Sequence, residues 1–259
     1  MTPHQDGDTS GIAATLPLSR IDAVIFDMDG VVTQTAAVHF RAWKRLFDAV
    51  LAAASTEMNG PRRPFDEADY RRHVDGKPRQ DGVRDFLASR GMVLPDGSPD
   101  DPPDRETVWG LGNRKDRMFL AEVASGGVEP FPTTVEFARR LAAAGRRVAI
   151  ISASRNATEV LSTAGVLGLF EVKVDGVDSM ALGLAGKPDP AIFLEASRRL
   201  GSAPERVAIV EDALAGVQAG VRGGFGFVLA IDRAGFAAEL ASAGASLVVR
   251  DLGELLVPD

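Results

Sequence analysis

The 259-residue chain has no cysteine, only three histidines (His4, His39 and His73), no excess of basic residues and no apolar run long enough to span a bilayer. The missing thiols exclude disulfides, thiolate metal sites and a cysteine nucleophile. So few histidines argue against a histidine-rich metal centre and against a Ser-His-Asp hydrolase. The formal net charge of -7 and pI near 5.1 argue against broad binding to nucleic acid or an anionic membrane, since both need a basic field. Asp6 and Asp8 stand where a signal peptide would have its basic start, so a cytoplasmic protein is expected, without nucleic-acid or membrane partners. What is there is an ordinary globular mix, 45% hydrophobic and 25% charged, enough for one large domain or two modest ones.

The run from Ala23 to Phe26 reads as a buried strand that delivers two carboxylates, Asp27 and Asp29, to its C-terminal end before the turn residue Gly30. In an open parallel sheet, ligands sit beyond the carboxyl ends of the strands, so these acids face a crevice. Asp27 is a candidate nucleophile or metal ligand, and Asp29 a candidate acid and base. Residues 1–19 read as a flexible tail. From about Ala36 to Val128 the patterns are helical: one helix starts at Thr33 to Thr35 and carries Trp43 and Phe47 as packing residues, and others cover 81–90 and 113–123. The acidic, proline-rich stretch 94–104 between them reads as an exposed loop. After the prolines at 130 and 132, helix and strand alternate, with strands expected at 147–151, 207–210, 225–231 and 247–249 and helices at 133–144, 195–200 and 213–221. Such alternation predicts right-handed crossovers and a Rossmann-like, three-layer α/β/α core with a mainly parallel sheet. The expected division is a tail over 1–19, a catalytic core from 20–35 and 129–259, and a helical domain over 36–128 inserted after the first strand.

Three further polar clusters fall just past predicted strands. Ser152 to Asn156 opens a helix, where a hydroxyl and unpaired N–H groups favour an anion, although serine is also an ordinary helix cap. Lys187, between Gly186 and Pro188, supplies a compact positive charge, or else a surface one. Glu211 and Asp212 form a second acidic pair that suits a hard cation, or else a solvated loop. The glycines from 223 to 226 precede a strand and do not join a strand to a helix, so they are not a dinucleotide loop.

Asp27-x-Asp29, Ser152, Lys187 and Glu211-Asp212, in that order, resemble the haloacid dehalogenase (HAD) superfamily, with Asp29 pointing to its phosphotransferase branch. The match spans nearly everything after residue 20. Within it, the Thr35–Lys44 and Asp75–Arg79 segments and Ser152-Ala153-Ser154-Arg155-Asn156 are similar to the β-phosphoglucomutase family, which uses a helical insert as a cap. The resemblance implies that Asp27 takes up the phosphoryl group and that Asp29 is the general acid and base. It implies Mg2+ held by Asp27, the Asp29 carbonyl and Asp212, with Glu211 bound directly or through water. Ser152 and Lys187 would cradle the transferring phosphoryl group. Arg79 would hold the other phosphate, with His39 and Lys115 on the sugar side and Ala153, Ser154 and Asn156 as further contacts. His39 also reads as a core residue beside Phe40 and Trp43. Ala213 stands where that family has a hydroxyl residue, and the 94–104 loop lengthens the cap. The implied reaction interconverts β-D-glucose 1-phosphate and glucose 6-phosphate through glucose 1,6-bisphosphate. A phosphatase acting on a sugar phosphate or another small phosphomonoester is the alternative.

Overall fold

Six short strands form one parallel sheet: β1 (Ala23–Asp27), β2 (Arg147–Ile151), β3 (Val172–Val174), β4 (Val207–Glu211), β5 (Phe227–Ile231) and β6 (Leu247–Val249). Their order is β3-β2-β1-β4-β5-β6. The computed structural model describes residues 16–57 and 63–255. Helices cover both faces, so the central strands bury both sets of alternating side chains and appear in the sequence as unbroken apolar runs. Val24 and Phe26 of β1 pack with α5 (Pro132–Ala143) and α6 (Ala157–Thr163), while Ala23 and Ile25 pack with α8 (Ala191–Leu200). The other core helices are α7 (Gly176–Leu182), α9 (Leu214–Arg222) and α10 (Ala237–Ser242). The expected Rossmann-like, three-layer architecture is the one observed.

Strand order decides where a ligand binds. The chain winds outward from β1 in both directions, through β2 to β3 and through β4 to β6. The crevice at such a reversal lies outside the carboxyl ends of β1, β2 and β4. In register, Asp27 sits beside Ile151, and Phe26 beside Val210. The residues that follow these three strands therefore converge.

Among the described residues, four helices lie between β1 and α5: α1 (Ala36–Glu57), α2 (Glu67–His73), α3 (Arg79–Ser89) and α4 (Val108–Gly126). They have a core of their own, in which the Trp43 and Phe47 rings stack at 5.0 Å and Phe47 meets Phe86 at 4.0 Å. Asp66 caps α2 with a reciprocal capping box, and Thr107 caps α4 by accepting from the Gly110 N–H at 3.0 Å. Ala42 and Phe119 reach down into the sheet's hydrophobic cluster, which seats the insert on the core.

Several expectations change. Residues 1–15 lie outside the described residues, but 16–19 are no tail: Leu16 is buried in the core and Leu18–Arg20 form a 3-10 turn. The 94–104 loop is mostly exposed but not merely solvated, because Asp101 is buried and accepts from Thr107 Oγ1 at 2.6 Å and Ser98 N at 3.1 Å. Elements α2, β3, α7 and α10 were not anticipated. β3 has three residues with Lys173 at its centre, too short and too polar to register as a buried run.

Candidate active site

Asp27 ends β1 with both carboxylate oxygens engaged. Oδ1 accepts from Lys187 Nζ at 2.6 Å, and Oδ2 from the backbone N–H of Asp29 at 3.0 Å. Lys187 is buried and is shared with Glu211 Oε1. The other oxygen of Glu211 accepts the N–H groups of Asp212 and Ala213, each at 2.9 Å. Burial pushes the Asp27 carboxyl up, with Glu211 and Asp29 adding to the effect and Lys187 opposing it. Burial lowers the Lys187 ammonium, but Asp27 and Glu211 outweigh it and hold the group charged.

Asp29 faces the insert. Oδ1 accepts from Thr35 Oγ1 and lies 3.2 Å from His39 Nε2, while Oδ2 is 3.3 Å from the Ser152 hydroxyl. Burial would raise this carboxyl, yet His39, Thr35 and Lys115 overcome it and pull it down to about 2. His39 is stacked on Phe119 at 4.0 Å, and its Nδ1 is bonded to Lys115 Nζ. With the lysine as donor, the histidine proton sits on Nε2, which is buried beside Asp29 without hydrogen-bond geometry. Desolvation, then the charge of Arg79, lowers Lys115 to about 7. His39 is therefore a packing residue that also lies between Lys115 and Asp29.

Arg79 opens α3. Its stem lies along Gly112, where an added Cβ would come within 3.2 Å of Cγ, and Nη1 pairs with Asp116 Oδ2 at 2.9 Å. Asn156 Nδ2 donates to Asp116 Oδ1 at 2.8 Å.

A cavity of about 70 Å³ lies at the centre. Asp27, Asp29 and Asp212 line it from the core, along with Ala153 and Ser154; His39, Arg79 and Lys115 line it from the insert. Ser152, Lys187, Asn156 and Glu211 stand behind that wall, bonded to Asp29, Asp27, Asp116 and Lys187 respectively. Thr35, Tyr70, Asp75 and Asp116 join the site without having been anticipated as members of it. Thr35 is tied to it by its hydrogen bond to Asp29, and Tyr70, Asp75 and Asp116 by their place in the wall. Burial, tempered by Tyr70, raises Asp75 to about 7.

The donor set fits a divalent cation. Oxygens of Asp27, Glu211 and Asp212 lie within 4.8 Å of one another. Burial raises Asp212, and the charges of Asp75, Glu211 and Asp27 raise it further. That is the sign of more negative charge than Lys187 alone can balance. Hard carboxylate oxygens with such an excess match Mg2+ chemistry. Because Asp27 and Asp212 line the cavity and Glu211 stands behind it, Asp27 and Asp212 are the better-placed direct donors.

A 3-2-1-4-5-6 parallel sheet, a helical insert after its first strand and paired aspartates at the switch point define a phosphotransferase of HAD type. The chain belongs to the haloacid dehalogenase-like hydrolase family, whose model matches residues 21–224. It is 46% identical over 241 residues to a β-phosphoglucomutase of Mycobacterium tuberculosis, covering 92% of each chain. It is 37% identical over 132 residues to a trehalose-phosphate phosphatase of Mycobacterium leprae, a match covering 49% of this chain and 29% of that one. The crystal structure of a β-phosphoglucomutase from Clostridium difficile shares the fold with a TM-score of 0.71 at 22% identity, covering 90% and 92% of the two chains.

Proposed function

We propose that the chain is a Mg2+-dependent β-phosphoglucomutase, interconverting β-D-glucose 1-phosphate and glucose 6-phosphate through glucose 1,6-bisphosphate. One observation carries the reading: a single cavity has the Asp27 carboxylate on one wall and the Arg79 guanidinium on another. A mutase must recognise a phosphate at both ends of its intermediate; a phosphatase needs only one. A relative 46% identical over 92% of this chain is named a β-phosphoglucomutase, which supports the same choice.

An Asp27 oxygen attacks phosphorus, the bond from phosphorus to the sugar oxygen breaks, and Asp29 gives its proton to the departing oxygen. In the second half, Asp29 takes the proton of the incoming hydroxyl as that oxygen attacks the aspartyl phosphate. Asp29 is held ionised in the ligand-free site, ready as the base. A phosphate dianion arriving beside it disfavours its charge and brings it towards the protonated form that the acid step requires. Lys187 fixes the orientation of Asp27, and Ser152 and Lys187 are the donors closest to the carboxylates that would turn to the phosphoryl oxygens. Asp27 and Asp212, with Glu211 behind them, would hold Mg2+, which when bound offsets charge on the transferring group. Residues 36–128 act as the cap, closing over the sugar so that the phosphoenzyme meets a hydroxyl and not water.

The test supplies β-glucose 1-phosphate, Mg2+ and a trace of glucose 1,6-bisphosphate, and follows glucose 6-phosphate against free phosphate. Isomerisation exceeding phosphate release supports the mutase. Phosphate release without isomerisation replaces it with the phosphatase reading, for which the match to a trehalose-phosphate phosphatase is the precedent.

A further inference from the structure

Arg79, the cation that the proposed function assigns to the distal phosphate, is not free in this structure. Asp116 Oδ2 pairs with it at 2.9 Å, and the guanidinium also approaches the Gly112 carbonyl at 3.4 Å. The other oxygen of Asp116 accepts from Asn156 at 2.8 Å. One carboxylate thus joins a residue of α3 and a residue of the loop entering α6, across the boundary between the insert and the sheet domain. Arg155 adds positive charge towards Arg79. Two acceptor oxygens bridging an arginine and an amide, beside a further cation, are the pattern that two oxygens of a phosphate would make.

A dianion cannot share that position with a carboxylate. Two like charges a few ångströms apart in a largely buried site repel strongly, and the donors of Arg79 and Asn156 would have to serve both. The cavity beside them, about 70 Å³, is well below the several hundred Å³ of an ordinary ligand pocket. A hexose phosphate therefore enters only when the insert lifts and the contact between Asp116 and Asn156 opens.

The geometry points to Asp116 as a specificity-determining residue: its carboxylate stands in for the distal phosphate in the empty enzyme, pairing with Arg79 and Asn156 until a phosphate displaces it. The consequence is a site that holds its phosphate ligands in order without substrate, and that discriminates against weakly charged ligands. A neutral or singly charged group competes poorly with a carboxylate already in place, whereas a dianion can displace it. This inference rests on the proposed function only in taking Arg79 as a phosphate ligand, not on the isomerisation itself.

The test measures glucose 6-phosphate binding by calorimetry, without bisphosphate, in the full-length wild-type chain and in Asp116→Asn, Arg79→Ala and the double variant. Removing the competing charge is expected to tighten binding by about three- to tenfold, the range of one ordinary net hydrogen bond gained or released. In the Arg79→Ala background the same change is expected to tighten binding less, because only Asn156 and the like-charge repulsion remain to be released. Asp116→Ser also removes the charge and carries the same expectation should the asparagine variant fold poorly. Equal or weaker binding in Asp116→Asn and Asp116→Ser overturns the inference and makes Asp116 a structural support for Arg79. Because the readout is binding, tightening without any isomerisation in the assay above would sink the mutase and leave this inference standing.

Discussion

Asp27 has both oxygens tied, one to a buried lysine and one to a backbone N–H, so its carboxylate can turn only a little and presents its remaining lone pairs to the cavity. Asparagine keeps the shape but cannot form the acyl phosphate. Asp27→Asn is expected to lose on the order of a thousandfold or more in turnover, and Asp29→Asn about a hundred- to ten-thousandfold, with both folds intact by circular dichroism. Full activity in an Asp27→Asn sample shown by mass spectrometry to be free of deamidation would remove Asp27 as the nucleophile. Lys115 gives a prediction about stability. Burial and the neighbouring Arg79 bring its ammonium from 10.5 to about 7 in the folded state, with Asp116 and Asp29 opposing. Below pH 7 it is protonated in both states, and folding bears the cost of a buried charge. From pH 7 to about 10 the folded chain has released a proton that the unfolded chain still holds, so this group's contribution to stability rises with pH. Lys115→Met abolishes the difference. The stability of the wild type relative to the variant is expected to climb by up to roughly 3 kcal/mol between pH 7 and 10, as read by urea unfolding. A pH-independent gap would show that Lys115 titrates normally.

At the scale of the elements, the turn after β1 is what brings two strands' acids together. Gly30 has φ +84°, and a Cβ there would lie 1.8 Å from Asp212 Oδ2. Gly30→Ala therefore strains the turn and displaces Asp212 together. The expected outcome is a rise on the order of tenfold or more in the Mg2+ concentration for half-maximal activity, as for displaced supporting residues at other metal sites. An unchanged metal requirement would separate Asp212 from the metal. Much of this was legible beforehand, for a physical reason. Strands buried on both faces leave apolar runs, and the residues just past them are the polar ones that a parallel sheet sends to its crevice, so Asp27, Ser152 and Asp212 announce themselves. Helix ends are softer. The start of α1 slides from Thr33–Thr35 to Ala36 because the Thr35 hydroxyl turns to Asp29. Asp116 carries no local signal at all: it is one acid on a charged helix, and only the meeting of α3, α4 and the loop entering α6 gives it partners. Asp101 is similar, an acid in an acidic loop whose burial depends on Thr107 folding back onto it.

At the scale of the whole molecule, the proposed mutase reaction makes the firmness with which the insert rests on the sheet domain the quantity that would separate isomerisation from hydrolysis. The hydrogen bond from Asn156 to Asp116 closes one side of the cavity. On another side, the Arg71 guanidinium of α2 lies 3.6 Å from the centre of the Phe236 ring, just before α10. This second contact lies outside the wall of the central cavity, so it can be weakened without altering a group that meets the reacting atoms. A cation over an aromatic face at a partly exposed site contributes about 0.5–1 kcal/mol. Its loss should raise the open population by about two- to fivefold, since each 1.4 kcal/mol is tenfold in an equilibrium. In the proposed mechanism, opening would admit water to the aspartyl phosphate, so Arg71→Ala is expected to raise free phosphate relative to glucose 6-phosphate by about that factor. Phe236→Leu, which keeps the bulk and loses the ring face, should do the same, and the double variant should do little more than either, as befits one shared interaction. Measured together with bisphosphate present, an unchanged ratio of phosphate to isomerised product in all three would place the control of water elsewhere than at this contact.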